Sequence, residues 1–196
     1  MNSNLIRSSA LTKRSLTTRR ITFDALFAAL YVVLACFISI KTPIAEFSFA
    51  SLPVIFSAFL LGPVDAALVA LVGSFIEQCL FGLSPTAPLW MLPAILQGLT
   101  VGLLVRLLPI FKKNNSKALY RTLAVLGTVC VGELILTAVN TASLYLDGFL
   151  VGYPVKALHL IVLPRLLNCA ARTAVSCILV YLLLPPVQKL FTMRKN

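Results

Sequence analysis

Six apolar stretches, each bounded by a charge, a glycine or a proline, fill the sequence between residues 21 and 184. Four of them reach about 20 residues or more, the length an α-helix needs to cross the hydrocarbon core of a bilayer. A soluble fold is excluded. The chain is 59% hydrophobic and 12% charged, whereas soluble domains carry roughly twice that charged fraction. The pattern predicts an all-α integral membrane protein with six transmembrane helices, over about 21–40, 45–62, 64–80, 89–108, 117–146 and 157–184. The breaks fall at Gly62-Pro63, at the Gly/Pro-containing loop 81–88, at the basic loop 109–116, between Asp147 and Pro154, and at Pro185-Pro186. Proline disfavours helix at the residue before it, and Gly/Pro clusters mark loops. The first stretch is too long for a signal peptide and lacks a small-residue cleavage site.

Charge gives the topology. The chain has 17 Lys and Arg against 6 Asp and Glu, a formal net charge of +11. Such a balance can mark a nucleic-acid partner, but here the cations lie in short runs between apolar stretches. Five precede the first helix (Arg7, Lys13, Arg14, Arg19, Arg20), and five flank the fourth loop (Arg106, Lys112, Lys113, Lys117, Arg121). Three more sit in the tail: Lys189, Arg194 and Lys195. With six helices, all of these share one side, which the positive-inside rule makes cytoplasmic together with both termini. No nucleic-acid partner is expected. The domain reading is a basic N-terminal segment 1–20, a six-helix membrane domain 21–186 and a basic tail 187–196.

Lys41 and Lys156 fall on the opposite side, and Arg165 and Arg172 fall inside the membrane. Ionisable groups at bilayer depth are costly, about 2.5–3.5 kcal/mol each on insertion scales, and so mark functional positions. Arg165, Asn168 and Arg172 lie at i, i+3 and i+7 on one face of the sixth helix, and Glu133, Thr137 and Asn140 do the same on the fifth. Antiparallel packing of these helices brings Glu133 opposite Arg172 as a structural ion pair. Arg165, nearer the outer end, suits a ligand carboxylate through its planar fork, or else snorkels to headgroups. Glu77 and Gln78 close the third helix and Trp90 opens the fourth at the same level. Trp90 is either an interfacial anchor or a stacking platform, and Gln97 can offer a donor and an acceptor to a ring edge.

Catalytic chemistry finds little support. The five cysteines form no CxxC, and their odd number argues against a disulfide framework or a zinc site. His159 has no second ligand at metal spacing. Neither G-x-S-x-G nor GxxxxGK[ST] occurs, so no serine-nucleophile or P-loop site is expected. No catalytic residue, metal or cofactor is assigned.

Several motifs together carry a resemblance. Ala25 and Ala29 form a small-xxx-small pair in the first helix, beside Ala28. The segment 47–53 (FSFASLP), followed by Leu61-Gly-Pro63 and then Asp65 and Gly73, is similar to an F-x-x-LP…GP pattern. The chain resembles the substrate-binding S components of energy-coupling factor (ECF) vitamin transporters over about residues 20–185. The run from Gly73 to Gly98 looks most like the folate-family branch, although folate-specific members carry an aspartate where this chain has Ser74-Phe75 and then Glu77. The resemblance implies high-affinity capture of a vitamin from outside, under loops at about 42–51, 81–88 and 147–156. It implies docking through Ala25 and Ala29 on a transmembrane coupling subunit, and uptake driven by two ATPase subunits as the chain topples in the membrane. Substrate-binding residues would be Arg165, Asn168, Trp90, Gln97, Glu77, Gln78, Asn140 and Lys156. Arg165 and Lys156, with Lys41, favour an anionic vitamin such as folate, with pantothenate or another vitamin as alternatives. A stand-alone facilitator or channel is the alternative of a different class. An intramembrane enzyme would need a nucleophile–base pair or clustered acids, which the sequence lacks.

Overall fold

The computed structural model describes residues 3–41, 46–108, 118–152 and 155–193, with side chains described at 18, 20–39, 47–108, 119–152 and 162–187. Its elements are α1 (Ser3–Phe37), β1 (Ile40–Lys41), β2 (Glu46–Phe47), α2 (Ser51–Leu60), α3 (Pro63–Phe81), α4 (Ala87–Leu107), α5 (Ala118–Val151) and α6 (Val155–Met193). Five of the six helices contain stretches long and apolar enough to cross a membrane. Each presents large apolar side chains outward, among them Leu26, Leu68, Leu103, Leu134 and Ile178. Such a surface is stable only against lipid or another apolar partner.

The second apolar stretch does not form the spanning helix expected over 45–62. Its first part pairs back as an antiparallel hairpin, with Ile40 opposite Phe47, and α2 has only 10 residues. At 1.5 Å per residue that is about 15 Å, half of the ~30 Å hydrocarbon core. The alternation of Phe47 and Phe49 favours extended chain here, and their rings meet edge to face at 5.1 Å. α2 ends where the N–H groups of Leu61 and Gly62 both donate to Ser57 O. Gly62 then turns at φ +112°, a conformation that residues with a Cβ rarely adopt. Pro63 starts α3, where its missing N–H leaves no bond unmade.

Three boundaries differ from those expected. α1 begins at Ser3, because no glycine or proline interrupts residues 1–37; the basic segment 1–20 is therefore largely helical. α5 passes through Asp147-Gly148 and ends at Val151. A single glycine costs a helix only about 1 kcal/mol, and the chain turns at Gly152, whose N–H bonds Gly148 O. α6 passes through Pro164, Pro185 and Pro186. Prolines are tolerated in membrane helices, where neighbouring groups re-satisfy the freed carbonyls. Parts of the loops expected at 42–51 and 147–156 (residues 42–45 and 153–154), all of that at 109–116 and residues 194–196 lie outside the described residues, as do the side chains of Lys41 and Lys156.

α2 is the centre of the bundle. Every residue from Ser51 to Ala58 is buried, and α2 touches all five other helices. A helix apolar on all sides belongs in a core. Around it α1 packs on α3, α3 on α4, α4 on α5 and α5 on α6. The tightest of the glycine positions is Gly102, where a Cβ would lie 2.4 Å from Pro63 Cα. Only glycine lets α4 pass the start of α3 at that distance.

Candidate functional site

Glu133 is fully buried on α5. Arg172 of α6 donates from Nε to Glu133 Oε2 at 2.7 Å, and its Nη2 reaches Thr137 Oγ1 at 3.0 Å. Ser176 donates to Glu133 Oε1 at 3.2 Å. Both carboxylate oxygens are thus used, as a buried charge requires. The spacing of Glu133 and Thr137, one helical turn apart, matches the span of one guanidinium.

Arg172 also reaches a cavity of about 180 Å3. α5 contributes Thr137 and Asn140 to the wall, and α6 contributes Arg165 and Asn168 beside Arg172. Arg165 donates from Nη1 to Asn140 O at 3.3 Å, tying the two helices together. Glu77 and Gln78 enter from the end of α3 and Trp90 from the first turn of α4. Tyr31 of α1 closes another side. Ser48, Ala50 and Ser51 form the part beneath the hairpin, so the cavity abuts the N-terminal end of α2. Free N–H groups and the helix dipole make that end electropositive. With Arg172 neutralised by Glu133, the charges left in the lining are Arg165 and Glu77.

Local backbone chemistry fixes the Trp90 turn. Pro93 lies inside α4, and its missing N–H frees the carbonyl of Leu89, four residues earlier. Ser143 of α5 donates to that carbonyl at 2.8 Å. The turn bearing Trp90 is thereby held by a neighbouring helix rather than by α4 itself.

One wall group is left in an expensive state. Gln97 is fully buried, lines the cavity, and neither its Oε1 nor its Nε2 has a hydrogen-bond partner among the described residues. The hydroxyl of Ser51, also buried and also lining the cavity, is in the same condition. A buried amide without partners costs about 1–3 kcal/mol. A ligand that offers a donor and an acceptor to Gln97 recovers that cost.

Of the residues singled out from the sequence, Arg165, Asn168, Trp90, Gln97, Glu77, Gln78 and Asn140 all line this one cavity. Lys156 lies in the first turn of α6, with its side chain outside the described residues. Tyr31, Ser48 and Ser51 were not singled out; Ser51 carries no signal in an apolar run, and Tyr31 reads as an ordinary core residue. Ala25 and Ala29 are exposed, whereas Ala28 is buried. Ile21, Ala25, Ala29, Val33 and Phe37 form an outward stripe at four-residue spacing along α1. Among the described residues, no group of three or more His, Cys, Asp or Glu could hold a metal ion.

The family model for the substrate-specific component of ECF transporters matches residues 19–184. The chain belongs to that family. It is therefore a multi-pass integral membrane protein of a class of transporter substrate-binding components. No curated protein matches it in sequence. Solved structures with the same fold include the S component of a bacterial ECF transporter, at 19% identity and TM-score 0.61, covering 89% of this chain and 98% of that one. The S component for biotin from an ECF-type ABC transporter has 16% identity and TM-score 0.64, over 89% and 93%. FolT bound with folic acid has 20% identity and TM-score 0.61, over 84% and 93%. At these identities the likeness establishes the shared fold and leaves the vitamin open.

Proposed function

We propose that this S component captures a small anionic, folate-like vitamin from outside the cell and delivers it to an ECF complex for ATP-driven uptake. The observation that carries the reading is the unpartnered Gln97 amide, buried in a cavity that also presents Arg165. Arg165 binds the ligand carboxylate with two parallel charge-assisted bonds. Gln97 and Ser51 read a donor–acceptor edge, and Trp90 stacks on a planar part. Glu77, Gln78, Asn140, Asn168 and Lys156 complete the set. The pair Glu133–Arg172 holds α5 and α6 at the spacing the site needs.

The chain sits in the cell membrane, with the N-terminal segment 1–20, the tail 187–196 and both termini on the cytoplasmic side. Residues 21–186 form the substrate-binding domain. Ala25 and Ala29 dock on the transmembrane coupling subunit, whose helix approaches closely where side chains are small. Two ATPase subunits supply the energy.

The cavity volume favours a second reading. Ligand sites for drug-sized molecules run from about 300 to 1,000 Å3, against about 180 Å3 here. Such a cavity takes a compact carboxylate such as pantothenate whole, or the polar end of a longer vitamin. Titration of the purified chain with folate, pantothenate and biotin, followed by its tryptophan fluorescence, separates the readings. Mass spectrometry of the co-purified small molecule identifies the native ligand. Liposomes containing the chain alone should show binding without uptake, and uptake should require the coupling and ATPase subunits with ATP. Uptake by the chain alone would make it a facilitator and overturn the proposal.

A further inference from the structure

A second concavity lies at the other end of the bundle from the ligand cavity, where α1 enters its apolar span, α2 ends, α3 begins and α4 ends. Its volume is about 460 Å3. Two arginines stand at its rim, Arg20 of α1 and Arg106 of the last turn of α4. Phe59, Leu61 and Val105 contribute apolar side chains to its lining. We propose that this cleft binds an anionic phospholipid, with the headgroup phosphate between the arginines and an acyl chain along the apolar wall.

The two arginines differ from cations that merely mark the end of a span. Arg20 is oriented: its Nε and Nη2 donate to Asp65 Oδ2, and Nη2 also donates to Leu61 O at 3.3 Å. One edge of the guanidinium is thus spent on the protein, and the Nη1 edge remains for a ligand. Asp65 is consumed in this pair, and Asp24, one turn along α1, is outside the cleft lining. Arg106 is exposed and makes no ion pair among the described residues. A phosphate between the two completes both. Basic clefts between membrane helices bind anionic headgroups for this reason.

The apolar part selects lipid over a soluble phosphate. Val64 and Leu103, next in sequence to the cleft residues Pro63 and Gly102, are exposed on the outer surface of the bundle. Exposed apolar side chains thus lie beside the cleft, where an acyl chain would rest. Gly102 lets the start of α3 pack directly on α4 beside the cleft, since any side chain there meets Pro63.

The test uses the full chain, delipidated in detergent and supplied with phosphatidylglycerol or phosphatidylcholine, with retained lipid read by native mass spectrometry. The wild type should retain phosphatidylglycerol in preference to phosphatidylcholine, and excess glycerol phosphate should not displace it. Arg106→Gln should lower retention roughly fivefold to tenfold, the effect of one cation on an anionic lipid. Val105→Phe, which fills the wall without touching charge, should lower it as well. Unchanged tryptophan-monitored vitamin binding in both variants shows that they fold. Equal retention of the two lipids, displacement by glycerol phosphate, or wild-type retention by Arg106→Gln would each overturn the proposal. So would loss of coupling-subunit assembly in Arg106→Gln with lipid retention intact, which would assign the cleft to a protein partner.

Discussion

Gln97→Leu should move stability and affinity in opposite directions. Gln97 buries both amide atoms with no hydrogen-bond partner among the described residues, so the ligand-free protein carries a desolvation cost of about 1–3 kcal/mol. Leucine has a similar volume and no polar atoms, and it removes that cost. At about 2 kcal/mol, the melting temperature of the ligand-free chain should rise by roughly 4–8 °C. The same change deletes two ligand hydrogen bonds, each worth about 0.5–1.5 kcal/mol. The combined loss of about 1–3 kcal/mol weakens binding by roughly 5- to 150-fold. Trp90 is the only tryptophan in the chain and lines the cavity, so its quenching in titrations with folate and pantothenate reads affinity directly. Melting of the ligand-free protein in the same detergent reads stability. A destabilised Gln97→Leu variant with unchanged affinity would refute the reasoning, because the amide would then have a structural partner and no ligand role.

Three other substitutions probe separate parts of the molecule. Arg165→Ala should weaken an anionic vitamin by about 2 kcal/mol or more, roughly 30-fold, as measured by calorimetry; unchanged affinity removes Arg165 from the site. Ala25→Trp should leave vitamin binding intact and block assembly with the coupling subunit, so co-purification of the intact complex would count against docking through α1. Glu133→Gln should destabilise the fold by about 3–5 kcal/mol, because it leaves buried Arg172 without a counter-charge. Adding Arg172→Met should recover much of that loss in a thermal double-mutant cycle; no recovery would mean that the two groups are not energetically coupled.

The long spans were legible because apolar length is the one signal that lipid enforces. The breaks at Gly62-Pro63 and at 81–88 hold, whereas two others, at Gly148 and at Pro185-Pro186, do not. Pro185-Pro186 and Gly148 are breaks by the rules of water, where a freed carbonyl or a flexible residue competes with solvent. In α6 and α5 the helix runs through them, because the apolar surroundings offer the backbone nothing better. The hairpin at β1–β2 was hidden for the opposite reason: the apolar stretch 45–62 has the length of a helix, and periodicity over so few residues does not separate strand from helix. At the site, polar residues inside apolar helices were visible one by one. That Glu77, Trp90, Gln97, Asn140 and Arg165 share one cavity depends on how four helices meet, which no local spacing encodes. Ser51 falls in the 42–51 loop that the resemblance places over the ligand, but nothing marks its hydroxyl until it is found buried with no hydrogen-bond partner among the described residues.

The shortness of α2 has an architectural consequence. Five full-length helices close around a central rod that stops half way, and the depth it leaves unfilled begins at Ser51, where the cavity begins. The candidate site is thus the missing half of a sixth span. It is obtained by shortening one segment, with no need to splay the other five apart. Inserting one helical turn ahead of Ser51 would drive the rod into that space and plug the site from below, while leaving every helix–helix contact around it in place.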